Sequence, residues 1–273
     1  TVCRLATDRF RVITGTSFLS NDLEWVRQHA PEDGSVEVRD ITDDLACIGL
    51  WGPNARDVLD QATDNDISND TFPYLTAQEL TVAGKPAWAQ RVSYVGELGW
   101  ELLLANDNAD TVWDSLLELG QAHGIRPAGY KALDSLRMEK GYVYWGTDVT
   151  PEDNLLEAGL GFCADMAKGD FIGRDAFAKR KKEGLQSRLR TVVLEGNAFP
   201  AYGAESVWHN GEIVSRLRSA GHAHTIDKSI AYCYLPLPLA KPGMQVEIEL
   251  FGERVPAKVT LPIHDPKSER LKA

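Results

Sequence analysis

The chain has 273 residues, of which 43% are hydrophobic and 25% charged, and its formal net charge is -11. This length fits two domains of ordinary size. The acidic balance argues against nucleic acid or an anionic membrane as the main partner, because both bind clustered Lys and Arg. No stretch approaches the ~20 apolar residues of a membrane span, and the first residues do not read as a signal peptide.

The N-terminal two thirds mix helices and strands. Apolar periodicity predicts strands over 9–13, 36–39, 45–51, 79–82, 85–94 and 100–104. It predicts helices over 21–30, 53–59, 109–121, 130–140 and 174–183. A hairpin turn is expected at Ala83-Gly84, and Gly141 is expected to end the fourth helix.

Helix signals nearly vanish after Gln186. Strands are predicted over 189–194, 206–209, 212–217, 228–235, 245–251 and 254–260, with a hairpin turn at Asn210-Gly211. The sequence therefore predicts an α+β fold: a mixed domain over residues 1–185, then an all-β domain, a barrel or a sandwich, over 186–273, with the boundary near Gly184 to Ser187.

The cysteines are Cys3, Cys47, Cys163 and Cys233, and they form no C-x-x-C pair. We expect buried free thiols in a reducing compartment, the cytoplasm or a mitochondrial matrix, rather than disulfides. The chain starts with Thr rather than Met, which raises the expectation that it lies within a longer polypeptide.

The densest group of candidate functional residues is 91–102, RVSYVGELGWEL. Glu101 stands among apolar neighbours, where an unpaired carboxylate is costly to bury. It either faces water on an edge strand, pairs with an Arg, or accepts hydrogen bonds from a ligand with adjacent N–H donors, such as a pterin or a guanidinium group. Tyr94 is either a core residue or a hydroxyl aimed into a pocket.

A second group, residues 131–148, covers most of the fourth predicted helix and the segment after it. Asp134 and Arg137 are one turn apart and should form an ion pair. Tyr142, Tyr144 and Trp145 could stack on a flat heterocycle or pack against a sheet. His222 and His224 share one face of a strand, but a zinc site needs a third ligand that the sequence does not supply nearby, so no metal is expected.

Six segments occur in this order along the chain: LWGPNAR (50–56), RVSYVGELGWEL (91–102), ALDSLRMEKG (132–141), YWGTD (144–148), EAGL (157–160) and FIGR (171–174). Together they resemble the glycine cleavage T-protein family, and more closely its branch fused to dimethylglycine and sarcosine dehydrogenases and dimethylglycine oxidase. The stretches 228–236 and 265–270 also look like that branch.

The resemblance implies a folate-binding α+β region followed by a C-terminal β-barrel. It implies that tetrahydrofolate captures a one-carbon unit from an oxidised N-methyl amine, giving 5,10-methylenetetrahydrofolate. The iminium would come from a fused or associated flavin domain, so FAD is expected only outside this chain. Glu101 matches the carboxylate that holds the pterin, Tyr94 a tyrosine at the transfer site, and Trp145 a loop position near the pocket.

Two departures from the family pattern stand out. The family's catalytic Asp belongs to a segment upstream of Thr1, and Asp40, Asp43 and Asp44 are not in the matching context. Many stand-alone T-proteins have Arg at the position of Leu133, which favours the fused branch. Two alternatives stay open: a non-catalytic regulatory or scaffold module, and a folate-dependent O- or S-demethylase.

Overall fold

A computed structural model describes residues 1–196 and 201–263. The chain divides into two compact units. The first comprises residues 1–93 and 98–126, and the second comprises 94–97 and the described residues from Pro127 onward. The domain boundary near Gly184 stays a prediction. Across the described ranges, no helix has both the length and the apolar character that crossing a membrane requires.

The first unit contains a four-stranded antiparallel sheet and a separate hairpin. The sheet has the strand order β3-β6-β5-β4, and β1 pairs with β2. The strands are β1 (Val2–Ala6), β2 (Arg9–Val12), β3 (Leu45–Trp51), β4 (Ala77–Val82), β5 (Lys85–Gln90) and β6 (Gly99–Ala105). The helices are α1 (Leu19–Gln28), α2 (Ala55–Ala62) and α3 (Ala109–Leu119).

One face of this sheet forms the core of the first unit. Alternation along β6 buries Trp100, Leu102 and Leu104 on that face, where they join Val58 of α2 and Val112 of α3. Side chains two residues apart point to the same side of a strand. The intervening residues of β6 therefore lie on the opposite face.

The second unit contains two helices and a closed six-stranded barrel. The helices are α4 (Tyr130–Lys140) and α5 (Arg174–Glu183). The barrel order is β10-β7-β12-β11-β8-β9. Its strands are β7 (Ser187–Leu194), β8 (Ser206–His209), β9 (Glu212–Ala223), β10 (Lys228–Pro236), β11 (Gln245–Leu250) and β12 (Glu253–Thr260). The predicted α+β class with a C-terminal barrel is confirmed.

The turn predictions are confirmed at the level of backbone angles. Ala83 and Gly84 have φ of 49° and 73°, and Asn210 and Gly211 have φ of 52° and 84°. Consecutive positive φ values are what a two-residue hairpin turn of type I′ requires. Gly141, with φ of 84°, ends α4 in the left-handed conformation.

Several predictions about elements and cysteines need correction. Residues 36–39 form no strand, because no neighbouring strand pairs with them. Strand β5 ends at Gln90 rather than at Tyr94, and β9 continues to Ala223. The cysteines are free, but Cys47 and Cys163 are exposed rather than buried. The 265–270 stretch of the resemblance lies outside the described residues.

Candidate functional site

Glu101 occupies the middle of the sheet in the first unit. Its strand β6 lies between β3 and β5, so it is not an edge strand. The Glu101 side chain is half-buried on the face opposite the core. Within the described parts of the chain it has no hydrogen bond and no salt bridge. The expectation of a water-facing edge position or an Arg partner is therefore wrong, and the carboxylate is an acceptor without a protein donor.

The neighbours of Glu101 on this face come from both adjacent strands. Gly49 of β3 lies directly across from Glu101, and Gln90 of β5 lies across on the other side. The indole of Trp51 covers Gly49 so closely that a Cβ atom there would lie 2.3 Å from the ring. The Trp51 Nε1–H donates to the carbonyl of Val92 at 3.0 Å. A flat aromatic ring thus covers the residue directly across from Glu101.

The sequence patterns do not identify Trp51 or Gln90 as site residues. The sequence LACIGLW of β3 places Gly49 and Trp51 on one face of the strand, because side chains alternate between faces. This alternation can be read from the sequence. Which face meets Glu101 depends on the β3–β6 register, which local patterns do not specify. Identifying Trp51 as a neighbour of the Glu101 face therefore requires the pairing of β3 with β6 to be known.

The β1–β2 hairpin also reaches the Glu101 face. The Cys3 thiol donates to Oε1 of Gln90. The pKa of Cys3 is raised overall, mainly by burial. The charge of Arg11 acts to lower this pKa, and the charge of Glu101 acts to raise it. The Arg11 guanidinium lies over the ring of Trp88, 5.8 Å from its centroid.

Tyr94 belongs to the second unit. Its ring stacks on Tyr142 at 5.9 Å with an interplanar angle of 10°. Its hydroxyl donates to the carbonyl of Val143 at 2.8 Å. Burial raises the pKa of Tyr94 to about 12, so the hydroxyl is neutral at physiological pH. A neutral phenol that donates to a backbone carbonyl keeps oxygen lone pairs available as acceptors.

Trp145 lies in the aromatic loop, residues 142–149, that follows α4. Its ring is 47% exposed, so it is not a core residue. The loop is anchored by Asp148, which is fully buried and accepts from Tyr144 N at 2.8 Å and from Ser219 N at 3.0 Å. The loop is therefore held in place, while the indole of Trp145 lies on the surface of the second unit.

Arg137 connects this loop to α4 and the barrel. The predicted pair with Asp134 is present, with Nε donating at 2.7 Å. Nη1 also donates to Asp148 at 2.5 Å, and Nη2 donates to Ser219 at 2.7 Å. Burial opposes the Arg137 charge, but Asp148 and Asp134 outweigh it and leave the pKa of Arg137 raised. The Asp148 contact was not predicted, because the two residues lie on different elements.

The three predicted site residues fall in different places. Glu101 belongs to the first unit, whereas Tyr94 and Trp145 belong to the second. Two described pockets, of about 700 and 410 Å³, both lie in the second unit and are lined by none of the three. No group of three or more His, Cys, Asp or Glu side chains in the described ranges is arranged to hold a metal. His222 and His224 meet edge to face at 4.8 Å.

The charge of Glu101 should make the stability of the chain depend on pH. Burial raises the pKa of Glu101, and the amino group of Thr1 acts in the opposite direction. A raised carboxyl pKa means that the folded state binds the proton more tightly than the unfolded state, so ionisation destabilises the fold at neutral pH. Glu101→Gln should therefore increase the free energy of unfolding at pH 7.

This gain should shrink as the pH falls and disappear below the unfolded-state pKa of roughly 4.3, where both states are protonated. Urea unfolding of wild type and variant at several pH values measures it. An exposed carboxylate, Glu79 of β4, serves as the control, and Glu79→Gln should leave stability nearly unchanged. Equal stability of Glu101→Gln and wild type at pH 7 would contradict the expectation.

Two protein domain families match successive parts of the chain. Residues 1–168 match the GCVT N-terminal domain, and residues 188–264 match the glycine cleavage T-protein C-terminal barrel domain. The crystal structure of the glycine cleavage system aminomethyltransferase T from Bartonella henselae superposes with a TM-score of 0.83. The two sequences are 24% identical, and the match covers 96% of this chain and 71% of the Bartonella chain. The likeness shows that the two proteins share a fold.

Curated relatives are enzymes. Human mitochondrial dimethylglycine dehydrogenase is 37% identical over 276 residues, covering 99% of this chain but 32% of the relative. Human mitochondrial sarcosine dehydrogenase is 40% identical over 204 residues, covering 74% of this chain and 22% of the relative. The chain thus spans about a third or less of these two proteins.

An aminomethyltransferase from Halothermothrix orenii is 32% identical over 255 residues, and here the match covers 93% of this chain and 70% of the relative. Together with the two domain matches, which include more than half of the chain, this confirms the resemblance inferred from the motifs. The chain belongs to the glycine cleavage T-protein family.

Proposed function

We propose that this chain is the tetrahydrofolate-dependent one-carbon transfer part of a larger flavin-linked enzyme that demethylates an N-methyl amine of the dimethylglycine or sarcosine type. The product would be 5,10-methylenetetrahydrofolate and the demethylated amine. The observation that carries the proposal is Glu101, a half-buried carboxylate without a protein donor in the described ranges. Its position lies within a segment typical of the family.

The chemistry of Glu101 suits the pterin head of a folate. A carboxylate has two oxygens in one plane, so it can accept two parallel N–H bonds from adjacent donors on a flat heterocycle. Burial strengthens such bonds, since water competes less. The indole of Trp51 beside Glu101 offers a surface on which a flat ring can stack. Glu101 and Trp51 are therefore the residues proposed to hold the pterin.

The proposed roles of the second unit's residues are supporting ones. Bound tetrahydrofolate would supply the nucleophilic nitrogen that takes up the one-carbon unit. Tyr94 has a neutral hydroxyl that can accept or donate at the transfer site, and the exposed ring of Trp145 can contact a bound ligand. Holding two reactants in a productive geometry supplies much of the rate of such a reaction. A carboxylate such as Glu101 is also able to move a proton.

The larger arrangement is also part of the proposal. The folate-binding region would comprise residues 1–185 and the barrel residues 186–273. The amine-derived iminium would come from a flavin domain, with FAD bound outside this chain. Two findings support this arrangement. The relatives are named as dehydrogenases, and the chain covers only 32% of dimethylglycine dehydrogenase.

Thermal unfolding with and without tetrahydrofolate tests the proposal. Ligand that binds only the folded state stabilises by RT ln(1 + [L]/Kd), about 2.7 kcal/mol at 100 times Kd. Wild type should be protected, and Glu101→Ala should lose the protection because the pterin donors then face no carboxylate. Glu79→Ala, an exposed position in the same sheet, is the control and should be protected like wild type.

Other outcomes separate the alternatives. Equal protection of Glu101→Ala and wild type would show that the site is assigned to the wrong residue. No heat on titrating tetrahydrofolate into wild type by calorimetry would favour a scaffold role. With a flavin partner present, release of methylenetetrahydrofolate from aryl ethers or thioethers instead of methylated amines would favour O- or S-demethylation.

A further inference from the structure

A cavity of about 410 Å³ in the second unit lies outside the residues proposed to act in one-carbon transfer. It is formed by the short helical turn Gly161–Cys163, the last turn of α5 and the start of β7. Its volume is in the range of small-molecule sites, roughly 300–1,000 Å³. The charged residues of its lining are Lys181 and Arg188, and no acidic side chain lines it. We call it the cationic cavity.

The two cations of this cavity are not neutralised by neighbouring acids. Neither Lys181 nor Arg188 forms a side-chain ion pair or hydrogen bond with any residue that the structure describes. The acid at the end of α5, Glu183, lies 3.9 Å from Lys179 and 3.9 Å from Arg180, which point away from this pairing gap. Both positive charges of the cavity are therefore available to a bound anion.

The start of β7 keeps an uncompensated positive charge. Glu157 does not supply the missing negative partner, because its Oε1 accepts from the backbone N–H groups of Gln186 and Ser187 at 3.0 and 2.9 Å. The pKa of Arg190 is lowered, mainly by burial and further by the charge of Arg188. Like-charge repulsion of this kind means that an anion beside Arg188 would be stabilising.

The helix dipole accounts for only part of this charge. Cations in the last turn of a helix complement the partial negative charge of its C-terminal carbonyls, and Lys181 of α5 is one of them. Arg188 lies on β7, so the dipole of α5 does not explain its place in the lining. The chain as a whole has a net charge of -11, so the sign of this cavity is opposite to that of the protein.

The rest of the lining is apolar or bare backbone. Phe162 lines the cavity although its side chain is 83% exposed, and Leu156 and Leu185 add further apolar surface. A Cβ atom built on Gly159 or Gly184 would meet no heavy atom within 4 Å, so the space beside both glycines is open. An open aromatic surface next to two cations suits a ligand that has a flat apolar body and an anionic group.

We propose that the cationic cavity binds a small organic anion, a carboxylate or a phosphate attached to a flat apolar group. The guanidinium of Arg188 can donate two parallel N–H bonds to such an anion, and Lys181 adds a second positive charge. The apolar body would cover Phe162 and remove its ring from water. A nucleic acid fits less well, because it needs an extended basic surface rather than a cavity of small-molecule size.

The test uses benzoate and phenyl phosphate as probes, each titrated into the full chain at low salt. The backbone N–H signals of Gly161 and Gly184, two lining residues, are followed by NMR. At least one anion should give saturable shifts, and the tighter of the two identifies the preferred anionic group. Benzamide, a neutral analogue of benzoate, should bind about tenfold more weakly or worse. Absence of saturable shifts with both anions would overturn the proposal.

Charge variants show whether the binding is local. Lys181→Gln and Arg188→Gln change exposed side chains, so the fold should be unaffected. Each should raise the Kd of the anions about tenfold. Lys182→Gln is the matched control, because it removes the same charge from the same helix outside the cavity lining, and it should leave the Kd nearly unchanged. Equal weakening by Lys181→Gln and Lys182→Gln would reduce the effect to long-range attraction and overturn the proposal.

A last variant tests the apolar part of the proposed ligand. Phe162→Ala should weaken the binding of both aromatic probes but leave the binding of inorganic phosphate unchanged, because phosphate has no apolar body to cover the ring. Its high exposure makes Phe162 dispensable for folding. Aromatic probes that bind this variant as tightly as wild type would contradict the assignment of a flat apolar group.

Discussion

Replacing Asp148 by asparagine should destabilise the second unit by roughly 3–5 kcal/mol, the range for breaking a buried ion pair from one side. The side chains of Asp148 and Arg137 are 0% and 2% exposed, and their charged atoms meet at 2.5 Å. The variant leaves a buried guanidinium without its buried counter-charge. The effect should lie toward the lower end of the range, because Asp134 still pairs with Arg137.

Denaturant unfolding of the full chain measures this loss. The matched control is Glu247→Gln, which breaks the pair between Glu247 and Arg254 in the same unit. That pair is 4.0 Å long and about 40% exposed on each side, so its loss should change stability by less than about 1 kcal/mol. Comparable losses in the two variants would contradict a special role for the buried pair.

The Asp148 variant has a second expected consequence. Asp148 also accepts from the backbone of Tyr144 and Ser219, so it ties the aromatic loop to the barrel. An asparagine amide can replace only part of these bonds. Hydrogen exchange at Tyr144 N should therefore speed up in the variant more than exchange in α5, which shares no hydrogen bond or ion pair with this network among the described residues.

Replacing Trp100 by alanine should cost about 3–5 kcal/mol of stability, the range for truncating a buried aromatic residue. Trp100 is 0% exposed and meets Phe72 with ring centroids 6.2 Å apart. Arg56 and Arg91 lie over its ring at 5.6 and 5.8 Å. The alanine variant would leave a large cavity in the core of the first unit.

Trp100→Phe is the comparison variant. It keeps most of the buried ring and removes an indole N–H that has no partner within the described ranges. It should therefore cost less than half as much as Trp100→Ala. Thermal and denaturant unfolding measure both. Similar losses in the two variants would mean that filling the core does not explain the burial of Trp100.

Trp100 also determines where its neighbour points. Because successive residues of a strand face opposite sides, burying Trp100 in the core turns Glu101 toward the other face. Trp100→Ala should therefore weaken tetrahydrofolate binding at temperatures where the chain is still folded. Trp100→Phe should preserve it. The same calorimetric titration serves both variants.

Local patterns predicted most of the elements correctly. Helical periodicity located α3, α4 and α5, and turn chemistry located the hairpins at Ala83-Gly84 and Asn210-Gly211. These features depend on residues close in sequence, so the sequence reports them directly. The strand predicted from the alternating residues 36–39 is absent, because a strand forms only where a neighbouring strand pairs with it.

The site was predicted less completely than the fold. Glu101 stands out in the sequence because a carboxylate among apolar residues is unusual and because the motif around it is typical of the family. Its half-buried place in an interior strand, without an Arg partner, followed only from the order of the sheet. The roles of Tyr94 and Trp145 at a folate site stay predictions.

The amino-acid sequence by itself determined the α+β class, the all-β C-terminal part and the candidate carboxylate, because each depends on residue type and local spacing. The motif resemblance added the family and the choice of a barrel over a sandwich. Tertiary structure decided which side chains surround that carboxylate. Gly49 and Gln90 lie opposite Glu101 through strand register, and the ring of Trp51 covers Gly49. Arg137 meets Asp148 and Ser219 across 11 and 82 positions of sequence. Such pairings come from packing between distant segments, and no short window of sequence specifies them.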